Sequence, residues 1–384
     1  MEELLLDIVT HLRELPEGVD PKAAVKLEGI VREHNRGILG NAHHLSKRRL
    51  LPFYLHVKQE DPERWRAWGI DAALERRLLG VLRVKPRRTA SGVATITVIT
   101  RPHPCSGDCV YCPCDLRMPK SYLWSEPACR RAEKNYFDPY LQVSTRLRAL
   151  DQMGHATDKV ELIVLGGTWT DYSHPYQIWF VRELFRALNE WPAPWDRLRE
   201  RYAFYRDLGI SNSADEIARL VAAEQARVEA GEESYNEGFA RLYGGGKACA
   251  AAGESGAMSG TGARSPFWEA SRRMAASLDE LTIEQRRNET AAHRVVGLAI
   301  ETRPDTIDPA KLRLMRRLGC TKIQLGIQST RQELLDANRR LMDVSQIRRA
   351  FSLIRLFGFK IHAHFMVNLL GSTPEDDKAD FRAF

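Results

Sequence analysis

The chain has 384 residues, 43% of them apolar and 28% charged, the balance of an ordinary soluble globular protein with room for two or three domains or one extended barrel. No apolar run approaches the roughly 18 residues of a membrane span, and the start Met1-Glu2-Glu3-Leu4-Leu5-Leu6-Asp7 lacks the basic region of a secretory signal, so the cytoplasm is the expected compartment. The formal net charge of +7 favours a polyanionic partner, and seven cysteines, four of them between 105 and 114, suit a metal site in a reducing compartment rather than a disulfide framework.

The first 88 residues read as a small basic helical module. Leu4, Leu5, Ile8, Val9 and Leu12 share one face at helical spacing. Asp20-Pro21 predicts a helix that runs to a stop near Gly37, and Asp61-Pro62-Glu63 opens a shorter one holding Trp65 and Trp68. Arg76, Arg77, Arg83, Lys85, Arg87 and Arg88 follow one another without an intervening acid, and His43, His44, Lys47, Arg48 and Arg49 form a second cluster upstream. The plain alternative for both is a solvated charged face.

Residues 89–384 read as a second, α/β domain. Residues 93–99 predict a β-branched strand that leads into the cysteine loop, followed by a helix over 138–152. The buried strand 159–165, the helix 176–188, the strand 295–300 and the helix 309–318 continue the alternation. The strand 322–327, the helix 346–357 and the strand 360–365 complete it. Four to five strand-then-helix repeats imply a parallel sheet closed into a barrel or partial barrel. Residues 192–288 break the rhythm and predict a flexible insertion, with a charged helical piece at 215–230 and a Gly/Ala/Ser-rich run at 244–265 in which Cys249 is an incidental thiol. Near the end Thr373-Pro374 opens a helix that stops after about two turns without a cap, so the sequence reads as cut.

Cys105, Cys109 and Cys112 form a Cys-x3-Cys-x2-Cys array. Zinc normally takes ligand sets that close all four positions, whereas three thiolates leave one iron of a four-iron, four-sulfur (4Fe–4S) cluster open to a redox cofactor. Barrels place chemistry at the C-terminal ends of their strands. There this sequence has the cysteine loop, Gly166-Gly167-Thr168, Glu301-Thr302-Arg303-Pro304-Asp305, Gln324 with Gln328, and His362, His364 and Asn368. A glycine pair lets backbone approach a ligand closely, though a tight turn is the bland reading. Glu301 with Arg303 could be a surface ion pair, and the two histidines fit packing better than ligation. Cys114 stands too close to Cys112 to make a good fourth ligand; Cys129 reads as a partly buried thiol and Cys320 as a core thiol.

Several motifs together resemble the catalytic subunit family of Elongator. They are Lys85-Pro-Arg-Arg-Thr-Ala-Ser-Gly92, Cys109-Val-Tyr-Cys-Pro113, Ser121-Tyr122, Glu126-Pro127 and Phe137-Asp-Pro-Tyr-Leu-Gln142. The likeness continues in Gly154-His155, Asp158-Lys-Val-Glu161, Gly166-Gly-Thr168, Asn288-Glu-Thr-Ala291, Glu301-Thr-Arg-Pro-Asp305 and Gly326-Ile-Gln-Ser329. The resemblance implies a TIM-like radical S-adenosylmethionine (SAM) partial barrel joined to a C-terminal acetyltransferase domain. It implies an enzyme that uses acetyl-CoA to install a carboxymethyl-type group on C5 of the wobble uridine, position 34, of tRNA. Cys105, Cys109 and Cys112 would then hold the 4Fe–4S cluster, and SAM would chelate the open iron. Gly166, Gly167 and Thr168 would meet the methionine end of SAM, and Glu301, Arg303 and Gln328 would help to fix the cofactor. A 5′-deoxyadenosyl radical would abstract hydrogen from the acetyl methyl group. Arg83, Lys85, Arg87 and Arg88, with Lys47, Arg48 and Arg49, would grip the anticodon stem-loop, and an electron donor would reduce the cluster.

Three departures accompany the resemblance. Cys114-Asp115 stands where the family has two glycines, the insertion is longer, and the chain ends before an acetyltransferase domain would begin. The chain alone is therefore expected to bind SAM and tRNA without completing turnover. The rival readings are another radical SAM tRNA-modifying enzyme, such as a methylthiotransferase, which would need a second cysteine set, and a non-catalytic tRNA-binding scaffold with a structural cluster.

Overall fold

The apolar face of Leu4, Leu5, Ile8, Val9 and Leu12 forms the helix Glu2–Glu14 and is buried along its length. Helices Lys47–Glu60 and Ala72–Leu82 add Leu50, Leu51, Tyr54, Leu78 and Leu82 to the same core. Asp20 caps its helix by accepting from the Lys22 N–H, but no continuous helix runs to Gly37; the segment divides into Pro21–Ala24 and Leu27–His34. Val25 turns extended between them and sinks into the core, a tertiary demand that outweighs local propensity. Asp61 caps Pro62–Ala67, and the indole of Trp68 donates to Glu2 at 2.8 Å.

This computed structural model describes residues 1–16, 18–38, 44–83, 86–244 and 265–383. His43, Lys85, Cys249 and the core of the glycine-rich run lie outside the described residues. The chain divides into two units, Met1–Ala94 with Arg146–Lys159, and Thr95–Thr145 with Val160–Phe384.

The five strands β1 (Ala94–Ile99), β2 (Lys159–Leu165), β3 (Arg294–Thr302), β4 (Lys322–Gln328) and β5 (Lys360–Phe365) lie side by side in chain order. β3 pairs parallel with β4 and β4 with β5, so that Glu301, Gln324 and His362 stand in one row. Each connection carries helix, among them Pro139–Gln152, His174–Asn189, Pro309–Arg317 and Val344–Leu356. Sequential parallel strands with helical crossovers are the winding of a partial α/β barrel. The sheet face opposite the row of Glu301, Gln324 and His362 is apolar: Ile323, Leu325 and Ile327 of β4 and Leu298 and Ile300 of β3 are buried.

Within the insertion over 192–288 the described residues are largely helical, the expected piece at 215–230 among them. They form helices Trp195–Asp207, Ala214–Glu229, Tyr235–Tyr243, Pro266–Ser271 and Leu278–Asn288. Polar anchors replace the apolar content whose scarcity suggested a loose segment. Arg201 bonds both Glu183 and Asp138, the latter at 3.0 Å, and the Tyr205 hydroxyl donates to Asp138 at 3.0 Å. Ser234 with Glu237, and Ser277 with Glu280, close capping boxes. Among the described residues no helix is long and apolar enough to cross a membrane.

Glu183 and Asp138 are both buried; removing Arg201 leaves Asp138 without its cation, while Glu183 keeps Arg182 at 2.8 Å. Arg201→Ala is expected to lower unfolding stability by about 3–5 kcal/mol in urea denaturation. A loss below about 1 kcal/mol, the size of a surface ion pair, would show that the helix Trp195–Asp207 is not anchored through this group.

Candidate active site at the cysteine loop

Backbone bonds shape the loop after β1. Asn236 accepts from the Cys105 N–H and donates to the Cys105 carbonyl, each at 2.9 Å, and Asp171 accepts from the Ser106 N–H at 2.9 Å. The Val110 N–H donates to the Asn338 carbonyl at 3.1 Å. Glycine allows the loop to come close: a Cβ on Gly107 would lie 1.5 Å from Nη1 of Arg303. At the end of β2, Gly166 has φ +142°, and a Cβ there would lie 1.9 Å from Oγ1 of Thr100.

The loop closes over a cavity of about 70 Å3 at the C-terminal ends of the strands. Cys105, Cys109 and Cys112 line it together with Gly166, Gly167, Thr168, Glu301, Arg303 and Gln328, residues that stand as many as 223 positions apart in the sequence. Lys120, Ser121, Tyr111, Gly326 and Arg340 complete the wall.

Each thiol has its own neighbour. Cys109 Sγ accepts from Nη1 of Arg340 at 3.3 Å, Cys112 Sγ meets the Ser121 hydroxyl at 3.0 Å, and Cys105 Sγ meets the Thr168 hydroxyl at 3.6 Å. A hydrogen bond from Cys112 and the charge of Arg340 draw the Cys109 thiol down to about 4 against the effect of burial. Cys112, as donor in that bond and itself buried, is pushed up. Among the described residues no three His, Cys, Asp or Glu side chains converge as ligands of a single ion. Cys109 and Cys112 are close enough to share a hydrogen bond, and all three thiols face one cavity, so the donor set fits a cluster held by three thiolates.

Four buried polar atoms of this wall have no partner: Nη1 of Arg303, Oε1 of Gln328, Nε of Arg340 and the hydroxyl of Tyr111. Buried polar atoms are ordinarily satisfied, so two N–H donors, an amide acceptor and a hydroxyl around one cavity describe a ligand that both accepts and donates hydrogen bonds. An amino acid headgroup, carboxylate and ammonium together, fits that donor set. Gln328 itself has φ +69°, a conformation rare for a residue with a side chain.

Glu301 and Arg303 do not pair with each other. Arg303 makes a two-pronged bond to Asp305 at 2.9 and 2.7 Å, while Glu301 accepts from the Tyr122 hydroxyl at 2.5 Å and lies 3.7 Å from His364. Burial raises the Glu301 carboxyl above its ordinary range. The His362 and His364 rings meet edge to face, and Asn368 bonds through its backbone to Asp377 instead of lining the cavity. Cys114 faces a different cleft, beside Trp124 and Gln225. Cys129 is wholly buried rather than partly so, and burial pushes it and Cys320 up to about 12.

Lys120, Tyr122 and Arg340 escaped the sequence reading as site residues. Lys120 donates to the Gly107 carbonyl at 2.9 Å from a buried position. Its place a few residues beyond the cysteines was the available signal; Arg340 had none. In the other unit, Arg48, Arg49, Arg83, Arg87 and Arg88 are exposed, whereas Lys47 is half-buried and paired with Glu28 at 3.0 Å.

Residues 267–383 match the family model described as the radical SAM superfamily. The chain is 32% identical over 295 residues to a tRNA uridine(34) acetyltransferase of Dehalococcoides mccartyi, covering 77% of this chain and 46% of that protein. It is 28% identical over 320 residues to Elongator complex protein 3 of Danio rerio, covering 80% and 43%. The chain carries a radical SAM domain and is a homologue of these proteins. A solved structure of the archaeal Methanocaldococcus infernus Elp3 with an N-terminal deletion is 25% identical, with a TM-score of 0.45 over 76% of this chain and 42% of that one. The chain spans less than half the length of the curated relatives it matches.

Within this radical SAM homologue, Gly166 joins β2 to the cavity wall. Gly166→Ala is expected to cost about 1–3 kcal/mol in thermal unfolding, because the backbone conformation and the contact with Thr100 both oppose a side chain. An unchanged melting temperature would mean that this turn relaxes freely.

Proposed function

We propose that this chain is the radical-generating part of an enzyme that modifies C5 of uridine 34 in tRNA, with acetyl-CoA as the source of a carboxymethyl-type group. The observation that carries the reading is the single cavity in which the three cysteine thiols meet the orphaned Arg303 and Gln328 atoms and the Gly166–Thr168 turn. The relatives named for uridine(34) acetyl transfer and for Elongator support the substrate class.

Cys105, Cys109 and Cys112 would hold the 4Fe–4S cluster, and SAM would occupy the cavity beside it. When bound, reduced cluster and SAM together supply a 5′-deoxyadenosyl radical; the protein's own share is binding, orientation and exclusion of water. Nη1 of Arg303 suits the cofactor carboxylate, and Oε1 of Gln328 suits its ammonium group. Gly166 and Gly167 leave backbone unhindered for the methionine end, and Thr168 borders Cys105. The Tyr122–Glu301 bond holds an acceptor at the edge of β3 that can orient either SAM or the acyl donor. The reading takes the chain to work in the cytoplasm, where thiols stay reduced and an electron donor can serve the cluster.

For tRNA, the reading assigns Arg87 and Arg88, both exposed, and Arg83, Arg48 and Arg49 to phosphate contacts, with Lys85 and Lys47 alongside. A-form RNA is gripped largely through backbone and shape, so cations without a fixed pattern suffice. Lys47 contributes less, because Glu28 already neutralises it.

Anaerobic reconstitution with iron and sulfide, then reduction with dithionite in the presence of SAM, is expected to yield 5′-deoxyadenosine from the wild-type chain and none from Cys109→Ala. No 5′-deoxyadenosine from a cluster-loaded wild type would sink the radical reading and favour a scaffold. A rise on adding acetyl-CoA would distinguish acetyl chemistry from other radical SAM modifications. The double variant Arg87→Ala/Arg88→Ala is expected to weaken tRNA binding and reduce the slope of log affinity against log salt by about 1–2. Unchanged affinity at moderate salt would remove these arginines from the interface.

A further inference from the structure

Three cations border the cysteine cavity, and two of them have carboxylates. Arg303 is bound in two-pronged fashion by Asp305, and Lys120 lies 3.5 Å from Asp108. Arg340 differs. It is 4% exposed, and among the described residues no carboxylate pairs with it; Glu301 borders the same cavity but lies beyond ion-pair distance. Its Nη2 donates to the Gly326 carbonyl at 2.5 Å, its Nη1 to Cys109 Sγ at 3.3 Å, and its Nε has no partner. With no carboxylate bonded to it, this buried guanidinium has the Cys109 sulfur as its nearest counter-charge and Glu301 farther off, so the site is arranged for negative charge at that sulfur.

The backbone supports the same conclusion. Arg339 and Leu341, on either side of Arg340, both adopt left-handed conformations, at φ +49° and +50°. Neither gains burial from it: the Arg339 side chain is 69% exposed and Leu341 is 68% exposed. Between these two exposed residues the side chain of Arg340 is buried. Its N–H is held by the Leu335 carbonyl at 2.9 Å, and its own carbonyl accepts from Arg303 at 3.3 Å. Strained backbone persists where surrounding contacts over-determine it, and here they aim one guanidinium at one sulfur.

We propose that Arg340 is a positioning residue whose charge, held against Cys109, raises the reduction potential of the cluster. The inference rests on the reading of Cys105, Cys109 and Cys112 as its ligands. When a donor passes one electron to the cluster, the cluster gains one negative charge and no bond is broken. A fixed cation at hydrogen-bond distance from a ligating sulfur stabilises the reduced form more than the oxidised one. Net charge, hydrogen bonds to sulfur and solvent exposure are the levers that set such potentials, and Arg340 acts through all three. A higher potential lets a weaker donor load the cluster before SAM is cleaved.

The test is a potentiometric titration of the reconstituted full chain without SAM, followed by electron paramagnetic resonance, after iron and sulfide have been counted. Arg340→Gln and Arg340→Met remove the charge; Arg340→Lys keeps it. The neutral variants are expected to load iron as the wild type does and to shift the one-electron equilibrium at least tenfold against reduction, about 59 mV lower. Arg340→Lys is expected to recover most of that shift. Neutral variants that titrate with the wild-type potential overturn the inference, as does a shift that lysine fails to recover. Failure of both neutral variants to load iron, while lysine loads fully, would make Arg340 an assembly residue and overturn it too. A wild-type chain that takes up no cluster fails at the iron count, before any titration, and overturns the cluster reading together with this one.

Discussion

Lys120, Arg303 and Arg340 are each no more than 6% exposed, and all three lie beneath one short loop of cysteines. Removing a guanidinium or ammonium from water costs several kcal/mol unless partners replace the lost hydration. Much of the local architecture follows from that constraint. Asp305 follows Arg303 closely enough to bind it in two-pronged fashion, the Gly107 carbonyl takes the Lys120 ammonium, and the Gly326 carbonyl takes Arg340. Gly107 must lack a side chain because Arg303 occupies the space where one would begin. The loop and the ends of the strands therefore form one object: neither is satisfied without the other.

The long segment before Asn288 belongs to the same object. Cys114-Asp115 stands where the resembling family has glycines, and these residues are tied down rather than left tight. Asp115 accepts from the N–H groups of Arg117 and Trp124, at 3.0 and 2.8 Å. Gln225, from the helix Ala214–Glu229, takes the neighbouring Leu116 N–H and Cys114 carbonyl. Leu116 packs against Tyr235 and Phe239, and Asn236 brackets Cys105. The departure beside the cysteines and the additional helices thus meet in space, two halves of one packing solution. Two helices that between them hold the backbone on both flanks of the cysteine array have work to do even where their apolar content is low.

What was legible in the sequence was what is local. The strands, the aspartate caps and the cysteine spacing are written in short windows, and the structure contains those strands and caps within a residue or two. Where the reading failed, distance in sequence was the reason. Arg340 touches a sulfur 231 residues away, and Tyr122 reaches Glu301 across 179. No periodicity carries such pairings. Val25 leaves its helix for a core that other helices build, and the segment 195–243 holds through Arg201 and Gln225 as well as through the small cluster of Tyr235 and Phe239 on Leu116. Composition measures apolar burial, and so it undervalues a segment anchored by buried ion pairs.

The end of β4 shows how strain and order are divided. Pairing with β5 slips between Gly326 and Gln328, and Gln328 takes a left-handed conformation. A side chain at 326 would press on Nε2 of Gln328 at 3.0 Å and on Nη2 of Arg340 at 3.3 Å, so glycine, slip and left-handed residue depend on one another. The same strand buries Ile323, Leu325 and Ile327 completely. Such a strand can carry an unfavourable residue at its end, because its apolar contacts hold whether or not that end relaxes. Arg339 and Leu341 place a second strained turn on the far side of the same guanidinium. With both approaches to Arg340 fixed by backbone, its position does not wait on a ligand. A pocket whose charge is set before anything binds is preorganised, and the Gln328 and Arg303 atoms left without partners are then the part of the wall that a ligand completes.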